Sequence, residues 1–259
     1  MTAPTATVAP PRRPAPVGVH YRYLVLENLR TPVAVLTSSL LPALSLLFFV
    51  VPFDYGQDTR AATNAVAQLA VFGLMSNFLF LFGVGVADDR AKAWDPYLRT
   101  LPAPPWSRIA ARVLTGLTFG LVSVVPVIVV GALFTPATVT AAGLGLGVLA
   151  LMVGALPFLL GGLALGYALP VKAALPVVQL VFFPVAFAGG LLFPPELFPR
   201  WLDVLSSLLP SRGARELVVW ATTGADPKVL ALVTFAVWTA ATAVLAIWAL
   251  RRDEGRRFR

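Results

Sequence analysis

The side chains able to carry chemistry are few in this chain, and nearly all lie outside its long apolar stretches. Cys is absent, which removes disulfides, thiolate metal sites and a cysteine nucleophile together. The only histidine, His20, stands beside Tyr21 and Tyr23; a metal site needs several ligands, so His20 reads as an interfacial residue. No Gly-x-x-x-x-Gly-Lys-Ser/Thr segment occurs to cradle a phosphate. The glycines at Gly143/Gly147, Gly116/Gly120 and Gly162/Gly166 have the four-residue spacing of close helix packing instead. Within the apolar stretches the polar residues are Asn64, Gln68, Asn77 and Gln179, with scattered Ser and Thr. None of these titrates, so neither general acid–base catalysis nor a proton relay is expected there, and no catalytic or metal-binding residue is assigned. A carrier holding an ion through backbone carbonyls stays open. Asn64 and Gln68, one helical turn apart, with Asn77 and Gln179, are the candidates for lining a translocation path; interhelical hydrogen bonding is the competing role.

Those polar residues must be positioned by the apolar stretches themselves. Val33 to Phe53, Ala61 to Ala87, Val113 to Phe134, Gly143 to Leu169, Ala174 to Phe193 and Val229 to Leu250 contain no Asp, Glu, Lys, Arg or His. Each is long enough to cross a bilayer core, which takes about 20 residues. Backbone groups in hydrocarbon must be satisfied internally, by helices or a closed barrel, and Leu40 to Val51 lacks the apolar–polar alternation of a barrel strand. An all-α membrane protein with six transmembrane helices is therefore expected. A content of 58% apolar and 12% charged residues agrees, since a soluble chain of this size would expose too much apolar surface. Pro126, Pro157, Pro176 and Pro184 are expected to kink their helices.

Orientation follows from the basic residues between the spans. The N-terminal segment, the loop after the second span, the loop containing Lys172 and the C-terminal segment hold 15 of the 20 Lys and Arg residues. The positive-inside bias puts both termini in the cytoplasm. The net charge of +8 is spread over membrane-flanking segments with no basic, aromatic-interleaved face, so it is assigned to topology and lipid headgroups, and no nucleic-acid partner is expected. An excess of Arg over Lys with abundant Ala and Pro suggests a GC-rich bacterial genome, and hence a multi-pass protein of the bacterial cytoplasmic (inner) membrane.

Three segments outside the spans have distinct character. Residues 1–19, rich in Pro, Ala and Thr, read as a disordered cytoplasmic tail ahead of a membrane domain over 20–250, with a basic cytoplasmic tail at 251–259. His20 to Arg30 mixes Tyr21, Tyr23, Leu24, Leu26 and Leu29 with Arg22, Glu27 and Arg30, which suits a helix along the cytoplasmic interface. The second cytoplasmic loop, from Asp88 to Arg108, interleaves charges with Trp94, Tyr97 and Leu98, and Asp95 is placed to cap a helix beginning at Pro96. On the outer side, Leu197 to Leu209 and Ala214 to Trp220 are apolar, broken by Pro and too short to span, as re-entrant pieces are.

In this order of elements the chain resembles the membrane (permease) subunit of a type-2 ATP-binding-cassette (ABC) exporter, of the kind found in daunorubicin-resistance-like drug or lipid exporters. The resemblance rests on Asp89-Arg90 through Leu98-Arg99-Thr100-Leu101-Pro102 between spans two and three. It rests also on Gly190, Pro194, Phe198-Pro199, Trp201, Pro210 and Arg215 before the last span. Ala93 where Gly is common, and Ser211-Arg212 where an apolar and an aromatic residue are usual, depart from the pattern. The resemblance implies an ATPase-coupling loop formed by Asp89, Arg90, Lys92, Trp94, Leu98, Arg99, Leu101 and Pro102. It further implies an interfacial helix using Tyr23, Glu27 and Arg30, and an outer re-entrant segment built on Gly190, Pro194, Pro199, Trp201, Pro210 and Arg215. The implied partners are two copies of a cytoplasmic ATPase that binds ATP and Mg, a second permease copy (a homodimer) or a paralogue, and membrane lipid. This chain would hold no cofactor and would not be an enzyme by itself; an amphiphilic drug or lipid-like substrate would move out of the cytoplasm or inner leaflet. An ion-coupled or uncoupled carrier is the alternative, and a non-transporting scaffold a third.

Overall fold

The structure, a computed structural model, describes residues 17–30, 32–53, 57–93 and 105–256; within these, the side chains of 32–39, 105–106 and 254–256 are not described. The described residues are helical, without strands. Helix α1 covers Val17–Arg30 and α2 Pro32–Phe49; α3, Thr59–Phe78, passes through a π-helical stretch, Leu79–Val84, into α4, Gly85–Ala91. Then follow α5 (Pro105–Phe134), α6 (Ala141–Gly154), α7 (Leu156–Ala168), α8 (Val171–Ala188), a short 3-10 turn (Pro195–Leu197), α9 (Arg200–Ser207), α10 (Pro210–Thr223) and α11 (Val229–Arg256).

Among the described residues five helical stretches are long and apolar enough to cross a membrane: Thr59–Ala91, Ser107–Phe134, Ala141–Ala168, Val171–Ala188 and Val229–Asp253. The first expected span coincides with α2, of which the apolar part Leu40–Phe49 is described in full. The expected boundaries shift where charged residues prolong a helix. Asp88, Asp89 and Arg90 lie on the last turns of a 33-residue helix and not in a loop, and Arg108 and Arg112 belong to α5. The last helix continues through Arg256, so residues 251–256 of the expected basic tail are helical. Helix α1 starts at Val17, ahead of the expected His20. The fifth span begins at Val171, after Pro170 in extended conformation, and ends before Gly190, whose φ of 76° only glycine adopts readily. Of the expected tail over 1–19, residues 17–19 are helical, and residues 1–16, like the expected helix start at Asp95-Pro96, lie outside the described residues.

Two packing seams position the functional groups. Along the first, α7 runs between α11 and the π-helical stretch. There the backbone wraps one residue wider, with Gly85 N–H bonded to Phe80 O. The seam is closed by glycines: a Cβ at Gly162 would lie 2.9 Å from Phe78 O, and one at Gly166 would collide with Phe82 O and come within 2.7 Å of Val86 Cβ. Because backbone cannot step aside as a flexible side chain can, Gly166→Val is expected to lower stability by about 3 kcal/mol, read as a fall in thermal midpoint in detergent. A variant unchanged in midpoint would show that the seam is looser than this geometry. In the second seam α10 sinks between α3, α6 and α11. Gly154 faces Ala214, and Gly213 faces Ala231 and Phe235, so backbones approach closely on both sides. Ten residues of this fourteen-residue helix are buried, including Arg212, Arg215 and Glu216.

Candidate functional site

The helix Thr59–Ala91 extends about 50 Å at 1.5 Å per residue, and an ionic cluster sits toward each of its ends, half-buried at one and buried at the other. At the end of α4, the Arg90 guanidinium points into the bundle. Its Nε donates to Asp253 Oδ1 at 3.1 Å, with Nη2 bonded to the same oxygen, and Nη1 donates to the carbonyls of Gly166 (2.9 Å) and Leu169 (3.1 Å). Those carbonyls close the C-terminus of α7, where unpaired C=O groups and the helix dipole both favour a cation. Arg90 also stands over the Tyr167 ring, 5.9 Å from its centre. Asp253, on α11, is 3% exposed. Beside this clasp, Asp89 accepts from Arg112 of α5 and from Lys92 Nζ at 2.5 Å, and Lys92 reaches Glu27 of α1 at 3.7 Å. Five elements, α1, α4, α5, α7 and α11, are thereby tied at one end of the bundle. Tyr21 adds a hydrogen bond of 2.9 Å to Thr118 on α5.

The second cluster is built on α10. Glu216 Oε1 accepts from Arg212 Nε at 2.8 Å and Arg215 Nη1 at 3.3 Å, while its Oε2 accepts from Lys228 N–H at 3.2 Å. Arg215 also donates to Gln68 Oε1 on α3 (3.3 Å) and to Glu196 (3.0 Å); Arg212 lies 3.5 Å from Asp203, which Lys228 Nζ holds at 2.5 Å. Both arginine side chains are at most 5% exposed. Charge balances locally, three basic against three acidic groups, as burial demands. Gln68 is the tenth residue of α3, so Arg215 meets it roughly 14 Å along the helix from its start.

Glu196 sits outside the spanning helices. Burial alone would raise its pKa, but the charge of Arg215, hydrogen bonds from its own backbone and from Arg215, and the charge of Arg212 outweigh it and hold the carboxyl below the usual glutamate value. A pKa lowered on folding contributes stability that is present above the unfolded value of about 4.3 and is lost as pH falls through the folded value. Glu196→Gln is therefore expected to lower the thermal midpoint at neutral pH and to converge with the wild type only as the pH falls below the folded value; curves that stay parallel in acid would contradict the pairing.

A family model described as ABC-2 type transporter matches residues 21–223. The chain belongs to the ABC-2 type transporter family. It is also 24% identical over 196 residues, covering 73% of this chain and 80% of the relative, to the protein named "Putative transport permease YvfS" of Bacillus subtilis (strain 168). The resemblance read from the sequence is thus shown at the level of an ABC-2 permease subunit, a multi-pass membrane component of an ABC transporter, whose family implies an ATP-binding-cassette partner.

Among the coupling residues expected for an ABC-2 permease, Asp89, Arg90 and Lys92 meet in the first cluster, whereas Trp94, Leu98, Arg99, Leu101 and Pro102 lie outside the described residues. Glu27 joins that cluster through Lys92, while Tyr23 and Arg30 are exposed on α1. The four polar span residues do not converge. Gln68 is 1% exposed and accepts a hydrogen bond from Arg215, which ties α3 to the second cluster. Asn77 is buried with its Oδ1 unbonded, as is the Oδ1 of the half-buried Asn64, and Gln179 is exposed on α8. Of the outer set, Gly190 packs against Pro195, Pro194 precedes the 3-10 turn, Pro199 precedes α9, Pro210 opens α10, and Arg215 is buried; Trp201 is 69% exposed. Ser211 and Arg212, which depart from the family pattern, have local functions. Ser211 Oγ donates to Val185 O at 2.7 Å, closing the end of α8, and Arg212 pairs with Glu216.

Sequence reasoning missed Asp253, Arg112 and Glu216. The four-residue spacing of Arg212 and Glu216 was an available signal, and none marks Asp253 as the partner of Arg90.

Proposed function

We propose that this ABC-2 permease is the six-span membrane subunit of an exporter driven by a separate cytoplasmic ATPase, and that it moves an amphiphilic, drug-like or lipid-like molecule outward across a bacterial cytoplasmic membrane. The observation that carries this reading is the first ionic cluster. It stands at the end of the bundle where basic residues concentrate, and it welds α4, the helix leading into the segment 94–104, to α1, α5, α7 and α11. A push delivered at that segment by an ATPase would reach the bundle as a rigid body. Arg90 acts here as a transmission clasp, leaving the residues beyond Lys92 to meet the ATPase. With ATP and Mg held by two copies of the partner, this chain supplies the path and the gate.

Two permeases are expected to face each other. Gln179, an amide exposed on α8 between exposed Leu175, Leu180 and Phe183, is costly against lipid and is accommodated at a surface shared with a second permease copy or paralogue. In the same orientation α10 is a re-entrant helix on the outer side and both termini are cytoplasmic.

One observation favours a second reading, an ion-coupled carrier: ionisable Arg212, Arg215 and Glu216 lie inside the bundle. Their mutual pairing argues for a clamp over a titrating relay. Purification of the tagged chain from its native membranes in mild detergent separates the two. Stoichiometric recovery of an ATPase bearing a phosphate-binding loop is the expected result. A homo-oligomer without it, reproduced after crosslinking in intact membranes, would overturn the proposal.

A further inference from the structure

Between α3, α5, α6 and α10 lies a cavity of ≈ 120 Å³, walled by Val66, Ala70, Val124, Val148 and Val218 among other apolar side chains. Its few polar neighbours are already engaged: Thr63 Oγ1 donates to Thr59 O at 2.7 Å, and Thr222 Oγ1 to Val218 O at 2.8 Å. A space with so little unmet hydrogen-bonding capacity does not hold water well. A dry apolar cavity of about 150 Å³ takes one aromatic ring. At one end the cavity adjoins a vestibule of ≈ 680 Å³, and Thr63, Thr138, Val139 and Thr222 line both spaces. The vestibule adds Asp58, Arg60, Thr140 and Thr223. It lies at the start of α3, the end of the bundle opposite the Arg90 clasp.

We infer that this pair of spaces is a binding site for a single-chain amphiphile, with one short alkyl chain or aromatic ring in the cavity and a hydrogen-bond-donating head in the vestibule, where the hydroxyls of Thr63, Thr222 and Thr223, whose protons already go to backbone carbonyls, keep lone pairs to accept. The order of the two spaces carries the inference. An apolar chamber behind a hydroxyl-rich mouth, with a shared threonine neck, matches a molecule that is apolar at one end and polar at the other. Asp58 Oδ1 already accepts from Ala61 N–H at 2.7 Å as the cap of α3, so Arg60, exposed at the rim, is the charge presented to a head group. The site lies within one copy of the chain, and it stands independently of the ATP-driven reading, because occupancy is read without ATPase or transport.

The probe is octanol carrying a photoactivated diazirine on its third carbon, applied to the full chain in phosphatidylcholine nanodiscs, with labelled peptides identified by mass spectrometry. Saturable labelling of the peptides bearing Val66 and Val148 is expected. It should fall about fivefold with excess unlabelled octanol, and comparably in the cavity-filling variants Val148→Phe and Ala70→Leu. The exposed faces of α8 and α11 should label without saturation. Labelling confined to those lipid-facing surfaces, or cavity labelling indifferent to excess octanol, would overturn the site. If a filled variant fails to fold, the competition on the wild-type chain decides alone.

Discussion

Replacing Glu216 by Ala is expected to destabilise the protein more than any other single substitution in the cluster on α10, by about 3–5 kcal/mol. The carboxylate is the shared acceptor for two guanidinium groups, each at most 5% exposed, and for the Lys228 amide. Its removal leaves two like charges facing each other where water cannot screen them, and breaking a buried pair costs far more than the pair contributes net. Glu216→Gln keeps an acceptor oxygen and loses only the charge, so its cost should be smaller, about 1–2 kcal/mol. Exchanging Arg212, Arg215 and Glu216 together for Met, Met and Leu should recover most of the loss, since the desolvation penalty goes with the charges. Thermal unfolding in one detergent ranks the three variants. A Glu216→Ala change within about 0.5 kcal/mol of wild type would mean that the cluster is hydrated and not buried.

The second large effect is expected at the clasp. Arg90→Ala removes the guanidinium from Asp253, which is 3% exposed, and takes a donor from Gly166 O and Leu169 O at the end of α7. The expected cost is about 3 kcal/mol. Asp253→Asn should cost less, because the amide oxygen can still accept from Arg90. Lys92→Ala, whose side chain is 27% exposed and pairs closely only with the 34%-exposed Asp89, its contacts to Asp88 and Glu27 being long, should change stability by no more than about 1 kcal/mol. In the ATP-driven reading Arg90→Ala also uncouples: residual ATP hydrolysis by the partner persists while export falls, because α4 no longer moves with α7 and α11. Equal losses in both activities would point to a docking contact at Arg90 instead of a clasp.

Much of the architecture was legible because spanning helices declare themselves through composition. The starts and ends of the helices were less so, because Asp89 pairs with Arg112 and Arg90 with Asp253 across the bundle, a long-range fact that local charge cannot reveal. The same cause explains α10. Read locally, Ala214 to Trp220 is an apolar piece too short to span; in the structure the arginines and Glu216 of Pro210–Thr223 neutralise each other, and Gly154 and Gly213 admit its backbone between α6 and α11. Of the two roles open to Gln68, path lining and interhelical hydrogen bonding, the structure displays the second, and its partner, Arg215, lies 147 residues away where local sequence could not name it. The break between α6 and α7, by contrast, was written in Pro157.

The central claim is that movement through this permease is powered by a partner's ATP hydrolysis. Its most direct test is reconstitution of the permease with the co-purified ATPase in vesicles, following a fluorescent amphiphile. Transport that requires ATP, and stops when the phosphate-binding lysine of the partner is replaced, is the expected result. Transport that continues without ATP and follows an imposed ion gradient would contradict it and identify a carrier.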